Sequence, residues 1–317
     1  MPPSVPSADG AARLIALDWG TSALRAYLLG DDAVVLDSRS EPWGIMQLPE
    51  GGFGVAFRRV TQDWLARAPN AGVLAAGMVG SAQGWQEVPY CAAPAGVEEL
   101  ARSVARCEAG PLWIVPGVSQ LGASPDVMRG EETQIVGALA RDSGLAERSL
   151  LVLPGTHSKW VHVCDGRIRE FTTYVTGELF AVLSASSILG RLARDAARSP
   201  EPAQATRAFE RGVLAARAST HGMAPLLFSA RSLVLAGRLE PESSLEYLSG
   251  RLIGEELRCG LADGERPRAL IGDAALCARY GAALELFDID PAPVIEQTAA
   301  AGLWAIAKGA RLIGPTT

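Results

Sequence analysis

Closely spaced histidine and cysteine are what this chain lacks. It carries 3 histidines and 5 cysteines, and neither set falls at zinc-site spacing or forms a C-x-x-C. Cysteines scattered as Cys91, Cys107, Cys164, Cys259 and Cys277 suit reduced thiols, so a cytoplasmic setting is expected. No apolar run approaches the ~20 residues that a helix needs to cross a bilayer, so no membrane role is expected. Basic excess is missing too: 29 Lys and Arg stand against 35 Asp and Glu, a net charge of -6. That argues against a broad nucleic-acid surface and leaves room for a small anion held by local turns. Residues 1–10 are small and Pro-rich and lack a basic start followed by an apolar core. They read as a loose tail, not as a signal peptide.

What is present is ordinary globular material, 48% hydrophobic and 20% charged over 317 residues, enough for two domains with a core each. The most informative stretch runs from Ile15 to Leu29. An apolar run ends on Asp18-Trp19, turns through Gly20-Thr21-Ser22 and resumes as a second apolar run. Such a turn points backbone N–H groups and small hydroxyls at an anion, and a carboxylate beside it can hold a cation. Asp18 is therefore the candidate Mg²⁺ ligand, with Gly20, Thr21 and Ser22 around the phosphates of a nucleotide. The competing reading is a plain β-turn, which uses the same residue types. A second copy at mid-chain, Leu150 to Val163 around Pro154-Gly155-Thr156-His157-Ser158-Lys159, favours phosphate binding. Pro154 stands where an acidic residue could sit, so only the first turn anchors a metal by this route.

The surrounding pattern is duplicated. Strands are expected at Leu14–Leu17, Leu24–Leu29, Ala33–Ser38, Gly72–Ala76 and Leu112–Val115, with helices at Phe53–Arg67, at Val97–Arg106 and from Gly130 towards Ala140. The second half repeats the order with strands at Leu150–Leu153, Trp160–Cys164 and Arg167–Thr173, the last two joined by Asp165-Gly166. A helical stretch from Gly177 to Asp263 follows, broken near Ser199–Pro202, Thr220–Gly222 and Pro241. Arg268–Ile271 is then a strand, and Ala274–Leu286 and Thr298–Leu312 are helices. The expected domains are 1–137, on the substrate side, and 138–317, on the nucleoside side, with the last helix free to pack back on the first domain.

Three further segments carry candidate chemistry. In Arg129-Gly130-Glu131-Glu132 two carboxylates open a helix, where they complement its dipole whatever else they do. Transfer of a phosphoryl group to an alcohol also needs a base near the hydroxyl, and Glu132 is favoured slightly over Glu131 for that role. Arg129 could meet a substrate carboxylate or a transferring phosphate, and Ser81, Gln83 or Lys159 could also fix the carboxylate. Gly77-Met78-Val79-Gly80-Ser81-Ala82-Gln83 follows a strand directly and suits contact with a small polar ligand. Gly272-Asp273, between a strand and a helix, fits a nucleoside site or an ordinary N-cap equally well. Lys159 could neutralise phosphate charge, and His157 could bond substrate or cap its turn.

Asp18-x-Gly20-Thr21 in a duplicated strand–turn–strand resembles the actin-like, hexokinase-type ATPase superfamily. Gly77-Met78-Val79-Gly80-Ser81, Arg129-Gly130-Glu131-Glu132-Thr133-Gln134, Leu153-Pro154-Gly155-Thr156-His157-Ser158-Lys159-Trp160 and Thr176-Gly177-Glu178-Leu179-Phe180 together resemble the 2-dehydro-3-deoxygalactonokinase family. Ser229-Ala230-Arg231 and Leu252-Ile253-Gly254-Glu255-Glu256-Leu257 extend the resemblance, which runs from Arg13 to Leu312. It implies an α/β fold of two duplicated actin-like, ribonuclease-H-like domains around a nucleotide cleft. It implies ATP and Mg²⁺ as cofactors and phosphorylation of a sugar acid, 2-dehydro-3-deoxy-D-galactonate, at its C6 hydroxyl in galactonate breakdown. The Gly-Glu-Glu segment is also similar to the start of the catalytic helix in exopolyphosphatases of the superfamily, where a glutamate serves the attacking water. Two alternatives stand beside it: a polyphosphate hydrolase of the same fold, disfavoured by the acidic charge, and a sugar-responsive regulator, for which no DNA-binding segment is seen before Arg13. A homo-oligomer is allowed for but not specified.

Overall fold

The computed structural model describes residues 12–313 apart from 123 and 197; the tail at 1–10 lies outside them. The first half runs β1 (Leu14–Trp19), β2 (Leu24–Leu29), β3 (Val35–Glu41), α1 (Gly52–Arg67), β4 (Gly72–Ala76), β5 (Cys91–Ala92), α2 (Val97–Arg102), β6 (Ala105–Arg106), β7 (Trp113–Ile114), β8 (Val118–Gln120), β9 (Asp126–Met128) and α3 (Glu131–Arg141). The second half runs β10 (Arg148–Leu153), β11 (Ser158–Cys164), β12 (Arg167–Tyr174), α4 (Thr176–Ser186), α5 (Ile188–Arg194), α6 (Pro202–Arg217), α7 (Met223–Leu227) and α8 (Ser229–Leu235). It ends with α9 (Ser244–Gly260), β13 (Pro267–Ile271), α10 (Ala274–Glu285), β14 (Val294–Ile295) and α11 (Ala299–Gly309).

One strand order is written twice. The first sheet is β3-β2-β1-β4-β7-β6 and the second is β12-β11-β10-β13-β14. In the first, β1 pairs antiparallel with β2 and parallel with β4, and β4 pairs parallel with β7. In the second, β10 pairs parallel with β13 and β13 with β14. This is a duplicated α/β arrangement. The central strands read as near-continuous apolar runs because both of their faces are covered: Leu14, Ile15, Ala16 and Leu17 of β1 are wholly buried. Helix α1 presents Ala56, Phe57, Val60 and Trp64 to the sheet on one stripe, and its Trp64 indole donates to Asp37 at 2.8 Å.

The chain divides into two compact units. One holds residues up to Ser149, Val161–Phe171 and everything from Gln297; the other holds Leu150–Trp160 and Thr172–Glu296. In the first unit α11 lies along α3, and glycines let the backbones touch. A Cβ at Gly137 would sit 1.9 Å from Thr298 O, and one at Gly302 would sit 1.9 Å from Thr133 O. That contact fixes the axis, and hence the N-terminus, of the helix that begins with Glu131.

The structure departs from the expected elements in short pieces. The helix expected over 97–106 stops at Arg102, because Ala105–Arg106 pairs antiparallel with β7. The strand expected from Ala33 starts at Val35, since Asp31–Ala33 form a 3-10 turn with Asp32 at φ 53° and Ala33 at φ 61°. The helical stretch has further breaks at Ser187, the N-cap of α5, and at Phe228. The small sheet β5-β8-β9 and the edge strand β14 were not foreseen; pieces of two or three residues carry no readable period.

Candidate functional site

In the first unit, parallel pairing sets Asp18 opposite Ala76, so β1 and β4 end at the same edge of the sheet. The turn after β1 closes with Gly20 N donating to Ala23 O at 2.9 Å, and the 43–46 loop is laid on it. Ile45 N donates to Gly20 O and Met46 N to Thr21 O, and a Cβ at Gly44 would lie 2.2 Å from Thr21 O. Beneath the turn, the Trp19 ring meets Phe53 at 5.5 Å and Trp85 at 5.9 Å, edge to face. Thr21 and Ser22 are exposed, with their hydroxyls available. The Asp18 side chain is 17% exposed, and its one charged neighbour is Arg25, at 3.4 Å across the β1–β2 ladder. Burial raises the Asp18 carboxyl above the ordinary aspartate range while Arg25 pulls the other way. A carboxylate so placed, paired with one largely exposed arginine and followed by the exposed Thr21 and Ser22, can take a divalent cation. Among the described residues no group of three or more His, Cys, Asp or Glu could cage a metal. A cation here is thus of the kind held by one carboxylate, water and phosphate oxygens.

The other two candidate segments of this unit come to the same edge. Gly77 directly follows β4 at φ 96°, and a Cβ there would lie 2.8 Å from Trp19 O. Gly130, at φ 109°, would place a Cβ 3.3 Å from Gly77 Cα. Both positions need the left-handed backbone that glycine adopts without strain. Together they press the start of α3 against the end of β1. Ser81 is buried and donates to Met78 O at 2.8 Å, whereas Gln83 is exposed.

Glu131 and Glu132 occupy unlike settings. Glu132 is 0% exposed, accepts from Gly130 N at 2.7 Å and from the Thr133 hydroxyl at 3.0 Å. Burial, with the Glu131 charge beside it, pushes its carboxyl up to about 8. Glu131 is half-buried and accepts from Arg129 N at 3.0 Å.

Arg129 itself is 8% exposed. Its guanidinium stacks over the Tyr90 ring at 4.3 Å and donates through Nη2 to Val88 O at 2.7 Å. Nε and Nη1 are buried with no partner, and Nη1 lies 3.0 Å from where a Gly80 side chain would begin. A buried cation with two donors that find no partner among the described residues is costly unless an anion arrives.

In the second unit, Gly272 lies beside the second turn, with Pro154 O 3.6 Å from its missing Cβ. The N-terminus of α4 is clamped on that turn: Glu178 N donates to Thr156 O at 3.0 Å, and a Cβ at Gly177 would lie 2.5 Å from Gly155 O. The exposed His157 pairs with Glu178 at 2.5 Å. Lys159 is 4% exposed and donates to the Thr173 hydroxyl at 2.7 Å. Asp273 is the N-cap of α10, accepting from Leu276 N at 3.0 Å. Gly155, Thr156, His157, Gly272 and Asp273 are therefore neighbours on one sheet edge, as are Asp18, Gly20, Gly80, Arg129, Glu131 and Glu132 on the other.

Residues 18–306 match the model of one protein family, 2-keto-3-deoxy-galactonokinase. The chain belongs to that family. It is 36% identical over 304 residues to the 2-dehydro-3-deoxygalactonokinase of Escherichia coli (strain K12), covering 93% of this chain and 98% of that one. Its fold is similar to the crystal structure of a candidate 2-dehydro-3-deoxygalactonokinase from Sinorhizobium meliloti, with a TM-score of 0.82 at 32% identity over 93% of this chain and 98% of that one. The family is one of kinases, so ATP use goes with membership. No described helix is long and apolar enough to cross a membrane. Sequence reasoning had named Arg129 without a reason to prefer it over Ser81, Gln83 or Lys159. Burial with idle donors distinguishes it, and no sequence pattern reports that.

Proposed function

We propose that the chain transfers the γ-phosphoryl group of ATP to the C6 hydroxyl of 2-dehydro-3-deoxy-D-galactonate, with Mg²⁺. Family membership supports the reaction class. The observation that carries the choice of an acid over a neutral sugar is Arg129, whose two idle, buried donors answer to a carboxylate. On this reading residues 1–137 take the sugar acid and 138–317 the adenosine, and the turns at Gly20-Thr21-Ser22 and Gly155-Thr156 each hold phosphate oxygens. Gly272 leaves room for the ribose, Asp273 orients α10 beneath it, and Lys159 and His157 add positive and hydrogen-bonding character to the second turn. Ser81, Gln83 and Gly80 line the acid next to Arg129. A cytoplasmic setting belongs to the same proposal.

Phosphoryl transfer asks the protein for position and charge rather than for covalent chemistry. Bound Mg²⁺ would neutralise phosphate charge, and Asp18 would hold it. Arg129 fixes the acid end of the substrate, which sets where its far hydroxyl lies. One glutamate takes the proton of that hydroxyl. Glu132 is enclosed and keeps its own proton below about pH 8; the half-buried Glu131 takes the role. Closing over the substrate excludes water, which competes as acceptor.

The test is an ATP-coupled assay with both epimeric 2-keto-3-deoxy sugar acids, simple hexoses and polyphosphate. Turnover of a keto-deoxy acid is expected, with Arg129→Met raising its KM roughly ten- to a hundredfold and leaving the KM for ATP unchanged. Turnover of neutral hexoses alone, or phosphate release from polyphosphate alone, would overturn the proposal.

A further inference from the structure

The reaction outlined above makes no use of Glu256, the one carboxylate sunk in the core of the second unit beside its phosphate turn. Glu256 is 2% exposed, on α9. Trp160 Nε1 donates to Oε1 at 2.8 Å, Tyr280 Oη donates to Oε2 at 2.7 Å, and the Thr176 hydroxyl donates to Oε2 in a short contact. The three donors come from β11, α10 and the first residue of α4. All three elements abut the turn at Gly155-Thr156. Strand β11 leaves it, α4 is pressed on it through Gly177, and α10 follows Gly272-Asp273 alongside it.

A fourth link reaches the turn itself. Ser158 Oγ lies 2.9 Å from Tyr280 Oη, and Gly155 N points at Ser158 Oγ at 3.4 Å. The direction of the protons follows from the ends. Tyr280 has one hydroxyl proton and gives it to Glu256, so it accepts from Ser158. Ser158 in turn offers its lone pairs to the Gly155 N–H. The chain of bonds runs one way, from the turn to Glu256. Burial pushes the Glu256 carboxyl up from the ordinary glutamate range, and the hydrogen bonds of Thr176, Tyr280, Trp160 and Ser158 pull it back. An apolar side chain would fill the same space in α9 at less desolvation cost, so the carboxylate answers to what it gathers.

We propose that Glu256 is a positioning residue for nucleotide phosphate binding, holding the Gly155-Thr156 turn and the α4 N-terminus in register through Thr176, Trp160, Tyr280 and Ser158. This rests on the reading that the second turn takes phosphate. Glutamine at 256 has one acceptor oxygen, so at least one of the three donors is left facing an amide N–H₂. The inference concerns the nucleotide and not the sugar acid, which gives it a readout that general loosening does not move.

The experiment measures the KM for ATP, the KM for the sugar acid and the calorimetric Kd of MgATP alone, on the full chain, for the wild type, Glu256→Gln, Glu256→Asp and Tyr280→Phe. The expected result is a tenfold or greater rise in KM for ATP and in Kd for MgATP in Glu256→Gln. The KM for the acid stays within twofold, and Tyr280→Phe gives a smaller rise of the same kind. Glu256→Asp, which keeps the acceptors, recovers part of the loss. If Glu256→Gln does not fold, Tyr280→Phe carries the comparison. Nucleotide constants within twofold of wild type in the folded variants, with only the melting temperature lowered, would overturn the positioning role. A wild-type chain that binds no MgATP would instead sink the kinase reading beneath it.

Discussion

Glu132→Gln should make the protein more stable at alkaline pH. In the folded chain the Glu132 carboxyl titrates at about 8, against 4.5 for an unperturbed glutamate. Between those values the folded state holds a proton that the unfolded state has released, so stability falls as pH rises from about 4.5 to 8. A displacement of ~3.5 units at 1.36 kcal/mol each amounts to about 4–5 kcal/mol by pH 8.5, an upper figure because a buried site relaxes on ionising. Glutamine reproduces the protonated form: its oxygen can accept from Gly130 N, and its N–H₂ can donate to the Thr133 hydroxyl that now bonds Oε1. The variant should match wild type within about 1 kcal/mol near pH 5 and exceed it by roughly 2–5 kcal/mol at pH 8.5. Urea unfolding at the two pH values, followed by tryptophan fluorescence, gives the comparison. A stability difference that does not change with pH would refute the claim that Glu132 keeps a proton in the folded chain.

The two carboxylates should also separate in kinetics, with Glu131→Gln lowering kcat by roughly 10²–10⁴ and Glu132→Gln keeping far more activity; a pH–rate comparison that finds the reverse reinstates Glu132 as the base. Asp18→Asn should lower turnover roughly a hundredfold with little change in melting temperature, and raise the Mg²⁺ concentration needed for half-maximal rate; a normal rate would remove Asp18 from the metal. Gly44→Ala puts a Cβ 2.2 Å from Thr21 O and should cost about 1–3 kcal/mol of stability while raising the KM for ATP, read by thermal melts and initial rates. Gly302→Ala puts one 1.9 Å from Thr133 O and should wedge α11 from α3, lowering kcat through displaced Glu131; unchanged kcat would show that the start of α3 is held by Gly77 and Gly130 alone.

The duplicated architecture was legible because each half opens on long central strands. Leu14–Leu17 and Leu150–Leu153 are continuous apolar runs, and a buried parallel strand has to be one. The turn chemistry at Gly20-Thr21 and Asp165-Gly166 marks the hairpins, the latter with φ values of 52° and 70°. The two- and three-residue strands were not legible, since their pairing is decided by neighbours far along the chain: Ala105–Arg106 by β7, Cys91–Ala92 by β8. The site was legible as segments and not as roles. Residue type cannot tell that Glu132 is enclosed and Glu131 is not, because the difference arises from how α11 covers α3. Glu256 had a usable signal: it lies between Ile253 and Leu257, which share a core cluster with Val213 and Leu270, so it is a charged residue on a buried stripe. A carboxylate on a buried stripe must find donors, and Trp160, Thr176 and Tyr280 all lie in segments near a turn or helix start.

The two halves have kept the sheet order and diverged in where the negative charge sits. In the first unit the acidic side chain is at the strand end, Asp18, ahead of the turn and paired with the exposed Arg25. In the second, the strand ends in Leu153-Pro154 and the carboxylate lies behind the turn, at Glu256, fully bonded. A carboxylate in front of a phosphate turn repels the phosphate unless a metal stands between them. The buried one in the second unit is tied through Tyr280 and Ser158 to the Gly155 N–H, and the exposed Glu178 beside the turn is paired with His157. The first turn would then carry a metal site and the second would bind phosphate without one. Exchanging the two devices should be costly in opposite ways. Pro154→Asp would add a carboxylate in front of the second turn with no cation for it, and should weaken MgATP binding more at low Mg²⁺ than at high. Tighter MgATP binding by Pro154→Asp at all Mg²⁺ concentrations would show that the second turn also wants a metal ligand, and that this division of labour is wrong.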